Sequence, residues 1–170
     1  MITLTEEPVD GSVAAGLVTA LTAEINERYA YAMEAMTDAE RSADAAGVAA
    51  EISPDLVRAP LGTFLVAWLD GDPAGCGAVK PLDVAAGIGE VKRMYTTPSA
   101  RRKGVSRAVL SALEQRAAEL GYKSLQLETG TAQPEALALY EAQGWHRIVP
   151  YGRYKDEPDS VCFAKDLCTA

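Results

Sequence analysis

Residues 90–107 read Glu-Val-Lys-Arg-Met-Tyr-Thr-Thr-Pro-Ser-Ala-Arg-Arg-Lys-Gly-Val-Ser-Arg, and the rest of the chain is organised around them. The stretch opens as a strand, with Val91, Met94 and Tyr95 set among Lys92, Arg93 and Thr96. Pro98 stops that strand. From Lys92 to Arg107 there are six basic residues and no acidic one. Gly104 follows, and apolar residues then recur at helical spacing (Val105, Val109, Leu113, Ala117) until Gly121 supplies a stop. A strand that enters a basic, glycine-bearing turn and opens a helix is a device for holding phosphate. The first N–H groups of the helix have no partner, its dipole favours negative charge, and arginines add charge-assisted contacts.

Working towards the N-terminus, 63–69, Asp70-Gly71-Asp72 and 74–79 read as strand, turn, strand, because Asp-Gly between apolar runs is a strong hairpin signal. With 88–96 this gives an antiparallel meander, extended by an opening strand at 2–5. Residues 13–25 carry Val13, Leu17, Leu21 and Ile25 on one helical row. The stretch 29–59 is alanine- and acid-rich with weaker periodicity, and is expected to form a shorter helix and a loop through Pro54 and Pro60. Tyr29 and Tyr31 in it read as packing residues.

Towards the C-terminus, 124–128 follows a helix directly and so lies parallel to the strand before that helix. Pro134 opens a helix over 135–142 that ends at Gly144. Two last strands are expected at 145–151 and 160–164. The outcome is one α+β domain over 1–170, with a mixed, mostly antiparallel sheet of six to seven strands and about four helices.

The overall charge is −8, which argues against a nucleic-acid binder, but it is unevenly placed. Residues 1–89 hold four basic and fourteen acidic groups, against twelve and ten in 90–170, so the basic cluster stands out from an acidic protein. Cys76, Cys162 and Cys168 are an odd set without metal-like spacing and read as free thiols. No leader pattern and no run of about 18 apolar residues is present, so a cytoplasmic protein without membrane contact is expected, and no metal.

These motifs resemble a known family. Arg101-x-x-Gly104-x-Ser106, after a strand and at a helix start, is similar to the acyl-CoA signature of the GNAT superfamily of N-acetyltransferases, in its bacterial small-molecule form. Leu127-Glu-Thr-Gly130, Gln133-Pro-Glu-Ala136 and Leu139-Tyr-Glu-x-x-Gly-Trp145 resemble the family's second block. Tyr151-Gly-x-Tyr154 and 160–165 resemble its C-terminal end. Two positions depart from the signature: Ser106 stands for Gly or Ala, and Arg102 for a frequent Gly.

The resemblance implies the GNAT fold, with a central parallel strand pair that splays apart, and acetyl-CoA as co-substrate. The pyrophosphate would lie on the backbone N–H groups of 102–107, including Val105, Ser106 and Arg107. Arg101, Arg102 or Lys103 would meet the 3′-phosphate, and Gly104 would allow close approach. The edge at Met94, Tyr95 and Thr96 would pair with the pantetheine amides, with an N–H of Tyr95 or Thr96 facing the thioester oxygen. Thr129, Gln133 and Ala136 complete the implied cofactor contacts. Tyr140 matches the family's general acid. Glu90 and Glu128 are candidate bases, directly or through water, and each is equally a candidate partner of Lys92 or Arg93. His146, the lone histidine, reads as structural.

The acceptor implied is a small primary amine: amino-acid-like, a polyamine or an antibiotic amine. The acidic N-terminal half points weakly to a cationic one. A protein N-terminus or lysine, or a non-catalytic acyl-CoA-binding domain, are the alternatives, and pairing into a homodimer is compatible with the family.

Overall fold

The computed structural model describes residues 1–167, and Cys168 lies outside them. Strand β1 (Ile2–Glu6) is followed by helices α1 (Ser12–Arg28), α2 (Ala30–Ala35) and α3 (Asp38–Ala50). A meander of β2 (Thr63–Leu69), β3 (Asp72–Asp83) and β4 (Ile88–Thr96) comes next. Helix α4 (Val105–Glu119), β5 (Ser124–Gly130), α5 (Pro134–Ala142), β6 (His146–Ile148) and β7 (Ser160–Asp166) complete the described chain. The strands form one seven-stranded sheet in the order β1-β2-β3-β4-β5-β7-β6, in which only β4 and β5 are parallel. This is the mixed α+β sheet expected from the sequence.

Local chemistry sets the joints. Asp70 and Gly71 both take positive φ (55° and 95°), the primed turn whose twist suits two antiparallel strands. After α4, the Gly121 N–H donates to the Ala118 carbonyl and the Tyr122 N–H to that of Ala117, a glycine-dependent helix stop with Gly121 at φ 91°. The same pair of bonds ends α5: Gly144 N–H to Glu141 and Trp145 N–H to Tyr140. No membrane-crossing helix occurs among the described residues.

The stretch 29–59 holds two helices rather than one. Thr37 and Glu40 form a reciprocal cap that starts α3, yet no residue of α2 or α3 is fully buried. An element that buries so little has weak apolar periodicity, which is why its sequence reads ambiguously. The last-but-one strand is also shorter than expected, three residues at His146–Ile148.

Each face of the sheet has its own core. Val105, Val109, Leu110 and Leu113 of α4 pack with Leu125, Leu127, Tyr140 and Phe163 on one face. Ala14, Leu17 and Leu21 of α1 pack with Phe64, Val66, Cys76 and Tyr95 on the other. Between the faces, the parallel pair opens. Pairing of β4 with β5 runs from Ile88↔Ser124 to Val91↔Leu127 and stops there, although both strands continue. Beyond that point β4 carries a bulge. Lys92 faces Ala78 and Tyr95 faces Cys76 on β3, so β4 has one extra residue, and Arg93 sits at φ 57°. The bulge turns β4 towards β3 and leaves its other edge open.

Candidate active site

The turn after β4 is a cradle of backbone donors. The first bond into α4 runs from the Ala108 N–H to the Gly104 carbonyl, so among the described residues the N–H groups of 102–107 have no acceptor. Gly104 caps the helix at φ 85°, and a methyl built on it would meet nothing within 4 Å. Arg102, the departure from the signature, takes φ 62°, the conformation that a glycine adopts without cost. The turn thus keeps the backbone path that the resemblance implies, at some strain.

From the cradle a cavity of about 330 Å³ extends along the end of β4 between α1, α4 and α5. Met94, Tyr95, Thr96, Arg101, Arg102, Val105, Ser106, Gln133, Ala136 and Tyr140 all line it, as do Leu21, Glu24, Ile25 and Arg28 of α1. The Thr96 hydroxyl is buried on this wall without a hydrogen-bond partner. Lys103, Gly104, Arg107 and Thr129 are not part of the lining, and neither are Glu90 and Glu128.

Tyr140 is positioned by the end of its own helix. The stop at Gly144 folds Trp145 back beside it, with ring centroids 6.0 Å apart, and Phe163 closes the other side at 5.7 Å. Trp145 is itself fixed by a 2.9 Å bond from its indole N–H to Glu114 of α4. Burial pushes the Tyr140 phenol well above its ordinary pKa, so it stays protonated. Among the described residues its hydroxyl has no hydrogen-bond partner, which leaves the proton available to the cavity.

The two glutamates sit differently. Glu90 is buried and pairs with Lys80 (2.8 Å) and Lys92 (3.1 Å), while the Tyr151 hydroxyl donates to it at 3.0 Å. Burial alone would raise its pKa, but the lysines outweigh burial and hold it below the usual carboxylate range. That makes Glu90 a poor base. Glu128, one residue past the last β4–β5 pair, is half-buried and accepts a 2.9 Å bond from Ser160. Burial raises its pKa, and the Ser160 bond and Lys92 only partly offset this. Unlike Glu90, Glu128 has no cation within 4.0 Å among the described residues. His146 is exposed at the start of β6, and Cys76 and Cys162 are buried free thiols, Cys76 pushed up to about 12 by burial. No cluster able to hold a metal occurs among the described residues.

A charge network at the cavity mouth is not evident from sequence reading. Arg101 pairs with Glu24 of α1 and donates to the Thr96 carbonyl at 3.3 Å. Arg28, one turn beyond Glu24, pairs with Glu24 at 2.7 Å and with Glu135 of α5. The only local signal is the Glu24/Arg28 spacing of four, which reads as an ordinary helix-surface pair. The loop between β6 and β7 is also tied to two helices: Tyr31 of α2 donates to Asp159, Tyr154 donates to Asp44 of α3 at 3.0 Å, and Arg153 pairs with Asp44 at 3.4 Å.

The family model that matches residues 22–145 is described as the acetyltransferase (GNAT) family. An IAA acetyltransferase of Azospirillum brasilense is 41% identical over 104 residues, 61% of this chain and 67% of that protein. A solved structure from Klebsiella pneumoniae, described as a candidate acyl-CoA N-acyltransferase, is 27% identical and covers 99% of both chains at a TM-score of 0.75. A GNAT acetyltransferase from Elizabethkingia anophelis, solved with acetyl-CoA bound, shares the fold at 16% identity, with a TM-score of 0.65 over 98% of each chain.

Proposed function

The chain belongs to the acetyltransferase (GNAT) family, and from that premise we propose that it moves an acetyl group from acetyl-CoA to the primary amine of a small molecule. One observation carries the reading: a cavity brings Arg102, Val105 and Ser106 of the unpartnered N–H turn together with an orphaned Thr96 hydroxyl and a protonated Tyr140. The residues fit the co-substrate. The N–H groups of 102–107 take the pyrophosphate, with Arg101 and Arg102 beside it. The open edge of β4 at Met94–Thr96 takes the amide-bearing arm as an added strand.

Acetyl-CoA supplies an activated acyl carbon when bound, and the chain supplies the rest. Glu128 takes the proton from the acceptor ammonium, for which a carboxyl with a raised pKa is suited. A backbone N–H at Tyr95 or Thr96 faces the oxygen that gains charge. Tyr140 gives its proton to the departing thiolate. Glu90 holds Lys80 and Lys92 in place. The segment 151–159 is tied to α2 and α3 through Tyr31 and Asp44, and a segment held down in this way supports a small amine over an extended peptide. The reading takes the chain as one catalytic domain.

Two steps test it. Thermal shifts with acetyl-CoA, CoA and 3′-dephospho-CoA should show stabilisation, weakest without the 3′-phosphate. Thiol release from acetyl-CoA over a panel of amines should then identify turnover. No shift at millimolar acetyl-CoA would end the proposal.

A further inference from the structure

We propose that Arg93 receives a carboxylate carried by the acceptor, so that the amine acetylated belongs to a small molecule with both an amine and a carboxylate. The inference rests on the acetyl-transfer reading and narrows its substrate.

Arg93 is unlike the other sheltered cations around the site. Lys80 and Lys92 each lie within about 3.1 Å of Glu90, and Lys165 lies 2.7 Å from Glu114. Arg93 has no carboxylate within 4.0 Å among the described residues, as the salt bridges there show. Its Nη2 donates to the Val48 carbonyl of α3 at 2.6 Å, while its Nε is buried with no acceptor. A guanidinium stays charged at any ordinary pH, so a sheltered one with Glu51 acting only from beyond 4.0 Å carries an electrostatic demand that is only partly met. A carboxylate is the ligand whose shape and charge meet it.

The backbone puts that demand at the site. Arg93 is the bulged residue at φ 57°, and the bulge lies where β4 parts from β5. Both Lys92 and Arg93 reach the C-terminal end of α3: Lys92 meets Glu51, the residue that caps it, at 3.3 Å, and Arg93 meets Val48. The next residue, Met94, already lines the cofactor cavity. A strained backbone that carries a cation with no carboxylate within 4.0 Å, where two strands part, is how a binding site stores its preorganisation. On the facing strand stands Glu128, held by Ser160. Arg93 and Glu128 thus stand on the two strands just past their last pair, Val91↔Leu127, one a cation and the other a carboxyl. A zwitterion matches both, its carboxylate towards Arg93 and its ammonium towards Glu128. A polyamine, with no anion, leaves Arg93 as it is.

The test uses the full-length protein with saturating acetyl-CoA and a panel of α-, β- and γ-amino acids, each beside its carboxamide. The expected result is a preference for the acids of at least tenfold in kcat/KM. Arg93→Gln should lower kcat/KM for the acids at least tenfold through KM and leave the carboxamides within twofold. Arg93→Lys should restore part of the loss, and calorimetric affinity for acetyl-CoA should be the same in all three proteins. Equal use of acids and carboxamides overturns the proposal while the transferase reading stands. So does a parallel fall for both classes in Arg93→Gln, or rejection of every acid by a protein that binds acetyl-CoA. Failure to bind acetyl-CoA sinks the transferase reading instead. Were Arg93→Gln unable to fold, the acid–carboxamide comparison on the unaltered protein decides.

Discussion

Replacing Gly104 separates folding from cofactor binding. The residue caps α4 at φ 85° and ψ 2°, and an added Cβ meets no atom within 4 Å. Gly104→Ala therefore costs only the strain of a left-handed L-residue, about 1 kcal/mol. In a chain of 170 residues that lowers Tm by roughly 2–4 °C. The new methyl is nevertheless carried by the turn whose N–H groups would take the pyrophosphate. Affinity for acetyl-CoA should fall about tenfold or more, worth about 1.4 kcal/mol or more. Gly104→Glu adds a negative charge at the start of α4. That charge favours the helix dipole by about 0.3–1 kcal/mol and offsets part of the strain, but it repels the cofactor. The two variants should then rank in opposite orders. Gly104→Glu is at least as stable as Gly104→Ala in denaturant melts, and binds acetyl-CoA more weakly by calorimetry. If both variants bind within twofold of the unaltered protein, the phosphates do not lie on this turn.

Tyr140→Phe keeps the ring between Trp145 and Phe163, so stability and acetyl-CoA affinity should hold while turnover falls about 10²–10⁴-fold; undiminished turnover would remove Tyr140 as the acid. Glu128→Gln should slow transfer and change stability with a defined sign. The Glu128 pKa is raised in the fold, so its contribution is complete below the ordinary carboxylate value of about 4.5 and is lost as pH rises through the folded value. The variant should thus match the unaltered protein in melts near pH 4 and exceed it near pH 8; the reverse trend would contradict the assigned burial. Glu24→Gln releases Arg101 from a half-exposed pair, worth at most about 1 kcal/mol, and should strengthen acetyl-CoA binding up to about fivefold; weaker binding would mean that Glu24 itself positions the cofactor.

Residues 90–107 were legible because their signals are local: a strand period, a proline, a glycine that can take positive φ, and a row of apolar residues every four. Gly121 and Gly144 were legible for the same reason, and the second of them positions Tyr140 beside Trp145. The Arg93 bulge was not, because it depends on β3 and β5 pulling β4 in different directions. The Glu24–Arg28–Glu135 network was hidden likewise, since α1 reads as a packing helix until α5 is placed opposite it. The roles of Glu90 and Glu128 could not be separated by sequence. Two glutamates on adjacent strands look alike until Lys80, on β3 and outside both family blocks, turns out to pair with one of them.

The measurement closest to the central claim is a crystal structure with acetyl-CoA soaked into the protein. The account predicts pyrophosphate oxygens within hydrogen-bond distance of the N–H groups of 102–107, the amide-bearing arm along Met94–Thr96, and the sulfur beside the Tyr140 hydroxyl. Acetyl-CoA bound elsewhere, or with its phosphates away from that turn, would contradict it.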